Sequence, residues 1–150
     1  MYELGSYPLL PILKLCGIQY ENLNFYSRMK DGVDMYTKGV FRYPNAVCSF
    51  KVGLGVKTEG NLVVSGTRGY AYVPAPWWKT DYFELRYENQ NENKKFFYKW
   101  DCFGLRYEIQ EFISCIVNHR FSSARLRRRE SICMAEVMQQ FTERKNLMEI

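Results

Sequence analysis

The side chains best suited to chemistry are few and lie far apart in the chain. Trp77, Trp78 and Lys79 stand together just after the run Pro74-Ala75-Pro76. An indole face can stack on a sugar ring, and an ammonium at Lys79, with Arg86 as a second cation, can meet an anionic substituent. The same types serve equally as core or interface aromatics and solvated surface charge. His119 is the only histidine, so a histidine-rich metal site and a self-contained Ser-His-Asp triad both lack support. The five cysteines (Cys16, Cys48, Cys102, Cys115, Cys133) occur singly, with neither a C-x-x-C pair nor a histidine at metal spacing. No metal site is expected, and the thiols read as buried and reduced in a cytoplasmic protein. The dense basic run Arg125-Leu126-Arg127-Arg128-Arg129 has no groove-reading motif beside it, so it reads as an exposed helix start and no nucleic-acid partner is expected.

These residues must be positioned by a chain of 150 residues, long enough for one core, and a single domain spanning 1–150 is the expectation. With 47% hydrophobic and 25% charged residues the composition is that of a soluble globular protein, and the 17% aromatic share favours strands. The formal charge of +5 arises from basic and acidic residues interspersed along the chain, which describes a mildly basic solvated surface. No apolar stretch approaches the roughly 20 residues of a membrane span, so no membrane partner is expected.

Leu9, Leu10, Leu13 and Cys16 recur at helical spacing within Ser6 to Cys16, and Gly17 follows as a stop signal. Pro8 fits the first turn, while Pro11 sits at the tolerated limit. From Glu21 to Lys99 the pattern changes to short strands: Asn22-Met29, Asp34-Arg42, Ala46-Leu54, Asn61-Ser65, Gly69-Val73, Tyr82-Glu88 and Lys95-Trp100. Their separators, among them Lys30-Asp31-Gly32 and Gly66-Thr67-Arg68, are too short for parallel crossovers and demand antiparallel hairpins. Helical spacing returns in the stripe Leu105, Ile109, Phe112, Ile113 and Ile116, then in a last helix from about Leu126 to Lys145 that Ser122 or Ser123 can cap. The fold class is α+β: a predominantly antiparallel sheet of about six to seven strands with two to three helices packed on one face.

Two stretches resemble a known family. Glu3-Leu4-Gly5-Ser6-Tyr7, and the segment from Gly60 through Ser65-Gly66-Thr67-Arg68-Gly69-Tyr70 to Trp77-Trp78, are similar to the carboxy-terminal domain of the Gfo/Idh/MocA oxidoreductases, named for glucose-fructose oxidoreductase, inositol dehydrogenase and rhizopine catabolism. Tyr107 to Phe112 and then Arg129-Glu130-Ser131 continue the order, so the resemblance runs from about residue 3 to residue 141. Glycines 60, 66 and 69 read as turn formers rather than chemistry.

The resemblance implies a substrate-binding and dimerisation domain of an NAD- or NADP-dependent oxidoreductase acting on a sugar, polyol or related alcohol. It also implies a fragment of a longer chain: the sequence holds no G-x-G-x-x-G and no E-K-P tripeptide, the family's lysine carrier. The amino-terminal Rossmann domain and the first strand of the second domain are then missing, Met1-Tyr2 are internal residues, and the isolated chain is inactive without a cofactor of its own. Family members carry D-x-x-x-H, or tyrosine in place of the histidine, at the start of the first helix; Glu3 and Tyr7 match those positions and become the candidate catalytic pair. An ordinary phenol has a pKa near 10, so Tyr7 needs a nearby cation to relay a proton at neutral pH. Without such a role it is an amphipathic ring at a helix start, and Glu3 a carboxylate favoured by the helix dipole. Trp77, Trp78 and Lys79 are the candidate substrate contacts, and a homodimer through the sheet face is the expected assembly. The alternative is a non-catalytic binding or dimerisation module that shares only the fold.

Overall fold

The computed structural model describes residues 1, 3–101 and 104–150. Tyr2 and Cys102, both named above, lie outside the described residues. In chain order the elements are α1 (Ser6–Cys16), β1 (Asn22–Lys30), β2 (Val33–Arg42), β3 (Val47–Val52), β4 (Leu62–Ser65), β5 (Gly69–Val73), β6 (Tyr82–Tyr87), β7 (Lys94–Phe97), α2 (Leu105–Val117), α3 (Arg128–Thr142) and β8 (Leu147–Glu149). The fold is α+β, as expected. The eight strands among the described residues form two four-stranded sheets, ordered β3-β2-β1-β8 and β4-β5-β6-β7, rather than one sheet of six to seven. The sheets belong to two compact units, one formed by Met1–Lys57 with His119–Ile150 and the other by Thr58–Asn118.

The first unit holds the core. Period-two alternation in β1 buries Leu23, Phe25 and Ser27 on one face, and Thr37, Gly39 and Phe41 of β2 continue that face. Leu9 and Ile12 of α1 and Val137 and Phe141 of α3 close over it, with Phe25 and Phe141 in edge-to-face contact at 5.3 Å. Gly39 faces Phe25 on one side and Phe50 on the other, and a Cβ there would run into the Phe50 ring. The β1–β2 hairpin turns on Asp31 and Gly32, both at positive φ (51° and 80°), as a two-residue primed turn requires. Among the described residues only β8 pairs in parallel, with β1, and its entry is set by Asn146, whose side chain donates to the Leu23 carbonyl at 3.1 Å.

Both helices of this unit are stopped or started by identifiable groups. Gly17, at φ 85°, turns its N–H back to the Leu13 carbonyl at 3.1 Å. The last helix starts two residues later than expected, and neither expected serine caps it. Glu130 does, accepting the Arg127 N–H at 2.7 Å, while the Ser123 hydroxyl accepts from Arg125 in the preceding turn. Glu130 also pairs with Lys14 at 2.6 Å, joining α3 to α1, and this pairing with the backbone bond holds its carboxyl below the usual carboxylate range.

The second unit is differently built. Its sheet is wholly antiparallel, and none of its described residues is fully buried. The apolar stripe of α2 is exposed along its length, with Phe112 at 67%. The expectation that this stripe packs onto the sheet is therefore not met within the unit.

Candidate functional site

Tyr7 stands in the first turn of α1. The turns behind it are anchored by Leu9, Ile12 and Leu13, so the backbone at Tyr7 is fixed while its ring remains 51% exposed. Glu3 is exposed and lies ahead of the helix, in the turn that ends at the N-cap Gly5. It is not among the first-turn residues, and the N-cap Gly5 carries no side-chain bond. The lysine of α1, Lys14, sits in the last turn and is committed to Glu130.

Trp77, Trp78 and Lys79 share one turn in the second unit. The Trp77 N–H donates to the Gly60 carbonyl at 2.9 Å and the Lys79 N–H to the Pro76 carbonyl at 2.8 Å. The two indoles meet edge to face, 6.1 Å apart at 88°, so they do not make one flat platform. Trp78 is 46% exposed and Trp77 half-buried. Gly60, at φ 75°, lies under the Trp78 ring, where a Cβ would come within 3.4 Å. The structure thus brings these three together, while Tyr7 and Glu3 belong to the other unit.

Two features of this second unit escaped the sequence reading. Trp100 donates its indole N–H to the Thr80 carbonyl at 2.8 Å and so secures the end of the tryptophan turn. On one face of the sheet, Arg86 lies over the Tyr72 ring at 4.3 Å and pairs with Glu84 at 2.7 Å, while Lys95 lies over Tyr82 at 3.6 Å. Hydrogen bonding by Tyr70 and Glu84 raises the Arg86 guanidinium above its ordinary value. The alternation Tyr70-x-Tyr72, Tyr82-x-Glu84-x-Arg86 and Lys95-x-Phe97 carried this face at period two. An open depression lined by Arg68, Tyr87, Asn89, Asn93 and Lys94 contains none of the candidate catalytic or substrate-contacting residues.

The starts of α1 and α3 do not fit a dinucleotide, which needs a glycine turn leading from a strand to free backbone N–H groups. Pro8 occupies the first turn of α1, and the Arg127 N–H at the start of α3 is already taken by Glu130. Among the described residues, no cluster of three or more His, Cys, Asp or Glu could hold a metal ion, and no helix is long and apolar enough to cross a membrane.

No protein-family model matches the sequence. Trans-1,2-dihydrobenzene-1,2-diol dehydrogenase of Oryctolagus cuniculus is 28% identical over 120 residues, which is 75% of this chain and 36% of that protein. KijD10, a 3-ketoreductase from Actinomadura kijaniata solved with NADP and TDP-benzene, superposes with a TM-score of 0.80 at 12% identity, over 99% of this chain and 46% of its own. A Gfo/Idh/MocA family oxidoreductase from Vibrio cholerae gives a TM-score of 0.57 at 14% identity, over 92% and 46%. The chain thus spans less than half the length of each of these proteins. At such identities the structures share the fold, and that fold is the one the sequence resemblance implied: this chain has the fold of one half of a Gfo/Idh/MocA oxidoreductase.

Proposed function

We propose that the chain is the substrate-binding and dimerisation part of an NAD(P)-dependent oxidoreductase for a sugar, polyol or related alcohol, completed as an enzyme by a dinucleotide-binding half outside these 150 residues. The observation that carries this reading is the fold shared over nearly the whole chain with a ketoreductase solved with NADP, and that complex favours NADP as the cofactor of the complete enzyme. Tyr7 is the proton-relaying residue, its exposed ring presented by a helix whose own turns are anchored in the core. Trp78 offers an open indole face to a sugar ring and Lys79 a cation to an anionic substituent. Glu3, exposed beside the start of α1, orients the ligand rather than exchanging its proton. The four described cysteines are free, which supports a reducing compartment, the cytoplasm.

The test combines turnover and binding. The complete protein is expected to oxidise members of a polyol and sugar panel with NADP or NAD, while calorimetric titration of the isolated chain with either cofactor gives no binding heat. Micromolar binding by the isolated chain counts against the reading. A second reading, a non-catalytic binding or dimerisation module, is favoured by the commitment of Lys14 to Glu130, which removes the α1 lysine as an activating cation for Tyr7. Absence of turnover from the complete protein across the panel selects that reading.

A further inference from the structure

Cys16 ends α1 and Cys48 lies in β3, 32 positions apart in sequence, yet their Sγ atoms stand 3.2 Å apart at a part-buried site. A disulfide places two sulfurs about 2.05 Å apart, so bond formation requires an approach of only about one ångström. The surrounding structure holds both partners in place. The Tyr43 hydroxyl donates to the carbonyl of Gly17, the residue after Cys16, at 2.9 Å. Cys48 is registered opposite Phe41 in the β2–β3 ladder, and both cysteines pack against the core cluster while remaining partly exposed. The other described cysteines face oxygen instead: Cys133 the Ile18 carbonyl at 4.0 Å, and Cys115 the Glu111 carboxylate at 3.8 Å.

The geometry points to a modification site: Cys16 and Cys48 form a reversible dithiol–disulfide pair that a small-molecule disulfide oxidises. One cysteine loses its proton to solvent, and its thiolate attacks a sulfur of the reagent, forming a mixed disulfide and expelling one thiolate. The second cysteine, likewise deprotonated, attacks the protein sulfur of that mixed disulfide, forms the Sγ–Sγ bond and expels the second thiolate. Two electrons pass from the cysteines to the reagent, and the two protons end on the released thiols. The product ties the end of α1 to β3, the edge strand of its sheet. Burial, followed by the contact with Cys16, pushes the Cys48 thiol up to about 12, so exchange is slow near neutral pH and the pair responds to sustained oxidation.

The experiment incubates the folded 150-residue chain with oxidised glutathione at millimolar concentration for hours. Remaining thiols are then blocked with iodoacetamide, the chain is digested without reductant, and the peptides are mapped by mass spectrometry. The expected product is a Cys16–Cys48 cross-linked peptide that dithiothreitol dissolves, in a chain whose thermal midpoint is raised by about 5–10 °C. Cys48→Ser is expected to stop the reaction at a glutathione adduct on Cys16. Persistent glutathione adducts on both cysteines, a cross-link that forms only in denaturant, or preferential linkage of either residue to Cys133 overturns the assignment. Mapping of the unsubstituted chain decides the matter even where the serine variant fails to fold.

Discussion

At the scale of single residues, Tyr7 combines a fixed backbone with an accessible ring, and Tyr7→Phe removes one hydroxyl while keeping the ring. In the complete enzyme this substitution is expected to lower kcat by about 10²- to 10⁴-fold, the usual contribution of a positioned acid–base group. The thermal midpoint should move little; unchanged turnover would return Tyr7 to a structural role. A second residue-scale expectation concerns alkaline pH. Burial, with help from Cys16, raises the Cys48 thiol from 9.0 to about 12, and burial together with Cys16 and Cys48 raises the Tyr43 phenol. Because the folded values lie above the unfolded ones, the stability these neutral groups contribute is complete below about pH 9 and is lost as pH rises toward 12. Urea midpoints should therefore fall between pH 8.5 and 10.5, with a shallower fall in Cys48→Ala; equal slopes in the two proteins would exclude Cys48 as a source. Residue types and spacing made Tyr7, Trp78 and Lys79 nameable from sequence, but not the edge-to-face setting of the indoles, since mutual ring orientation depends on packing that local pattern does not encode.

At the scale of elements, the first sheet depends on the gap at Gly39. Filling it with Gly39→Val drives a side chain into the Phe50 ring, and overpacking of this kind costs about 1–3 kcal/mol. The loss should be read as a lower urea midpoint at unchanged slope; a variant as stable as the parent would show that Phe50 moves aside freely. Glu130→Gln weakens both the start of α3 and its tie to α1, and a capping loss of about 1 kcal/mol or less is expected at neutral pH. The penalty should shrink as pH falls through the depressed carboxyl value, because protonation then removes the same charge from the parent. A pH-independent penalty would assign it to packing. The strands and hairpins were legible because Asp31-Gly32 and the period-two alternation act locally. Partner choice was not: alternation identifies a strand without saying which strand it meets, so the break between β3 and β4 stayed hidden and two sheets read as one. The three-residue β8 escaped for a related reason, since its parallel pairing with β1 joins distant parts of the chain.

At the scale of the whole molecule, the proposed dimer rests on the second sheet. None of the described residues between Thr58 and Asn118 is fully buried, although Phe83 stacks with Phe96 at 5.0 Å on one face and Tyr82 packs with Phe97 at 5.7 Å on the other. Large rings such as Phe97 stand exposed on this sheet, and its outer strands β4 and β7 are edges that can accept a further strand. Covering one face with the same face of a second copy would bury the rings of that face in both copies at once, and a two-fold pairing closes without leaving a sticky end. The ring-and-cation face suits this arrangement: Arg86 and Lys95 lie over tyrosines of their own chain, and Glu84 pairs with both, so these charges enter an interface already partly neutralised. Light scattering on the 150-residue chain at micromolar concentration should give about twice the 17.9 kDa monomer mass. Phe97→Asp, which sets a carboxylate at an exposed ring position of that face, should shift the mass toward the monomer while leaving the fold of the first unit intact, as read by its thermal transition. A clean monomer of the unsubstituted chain at that concentration would rule out the dimer.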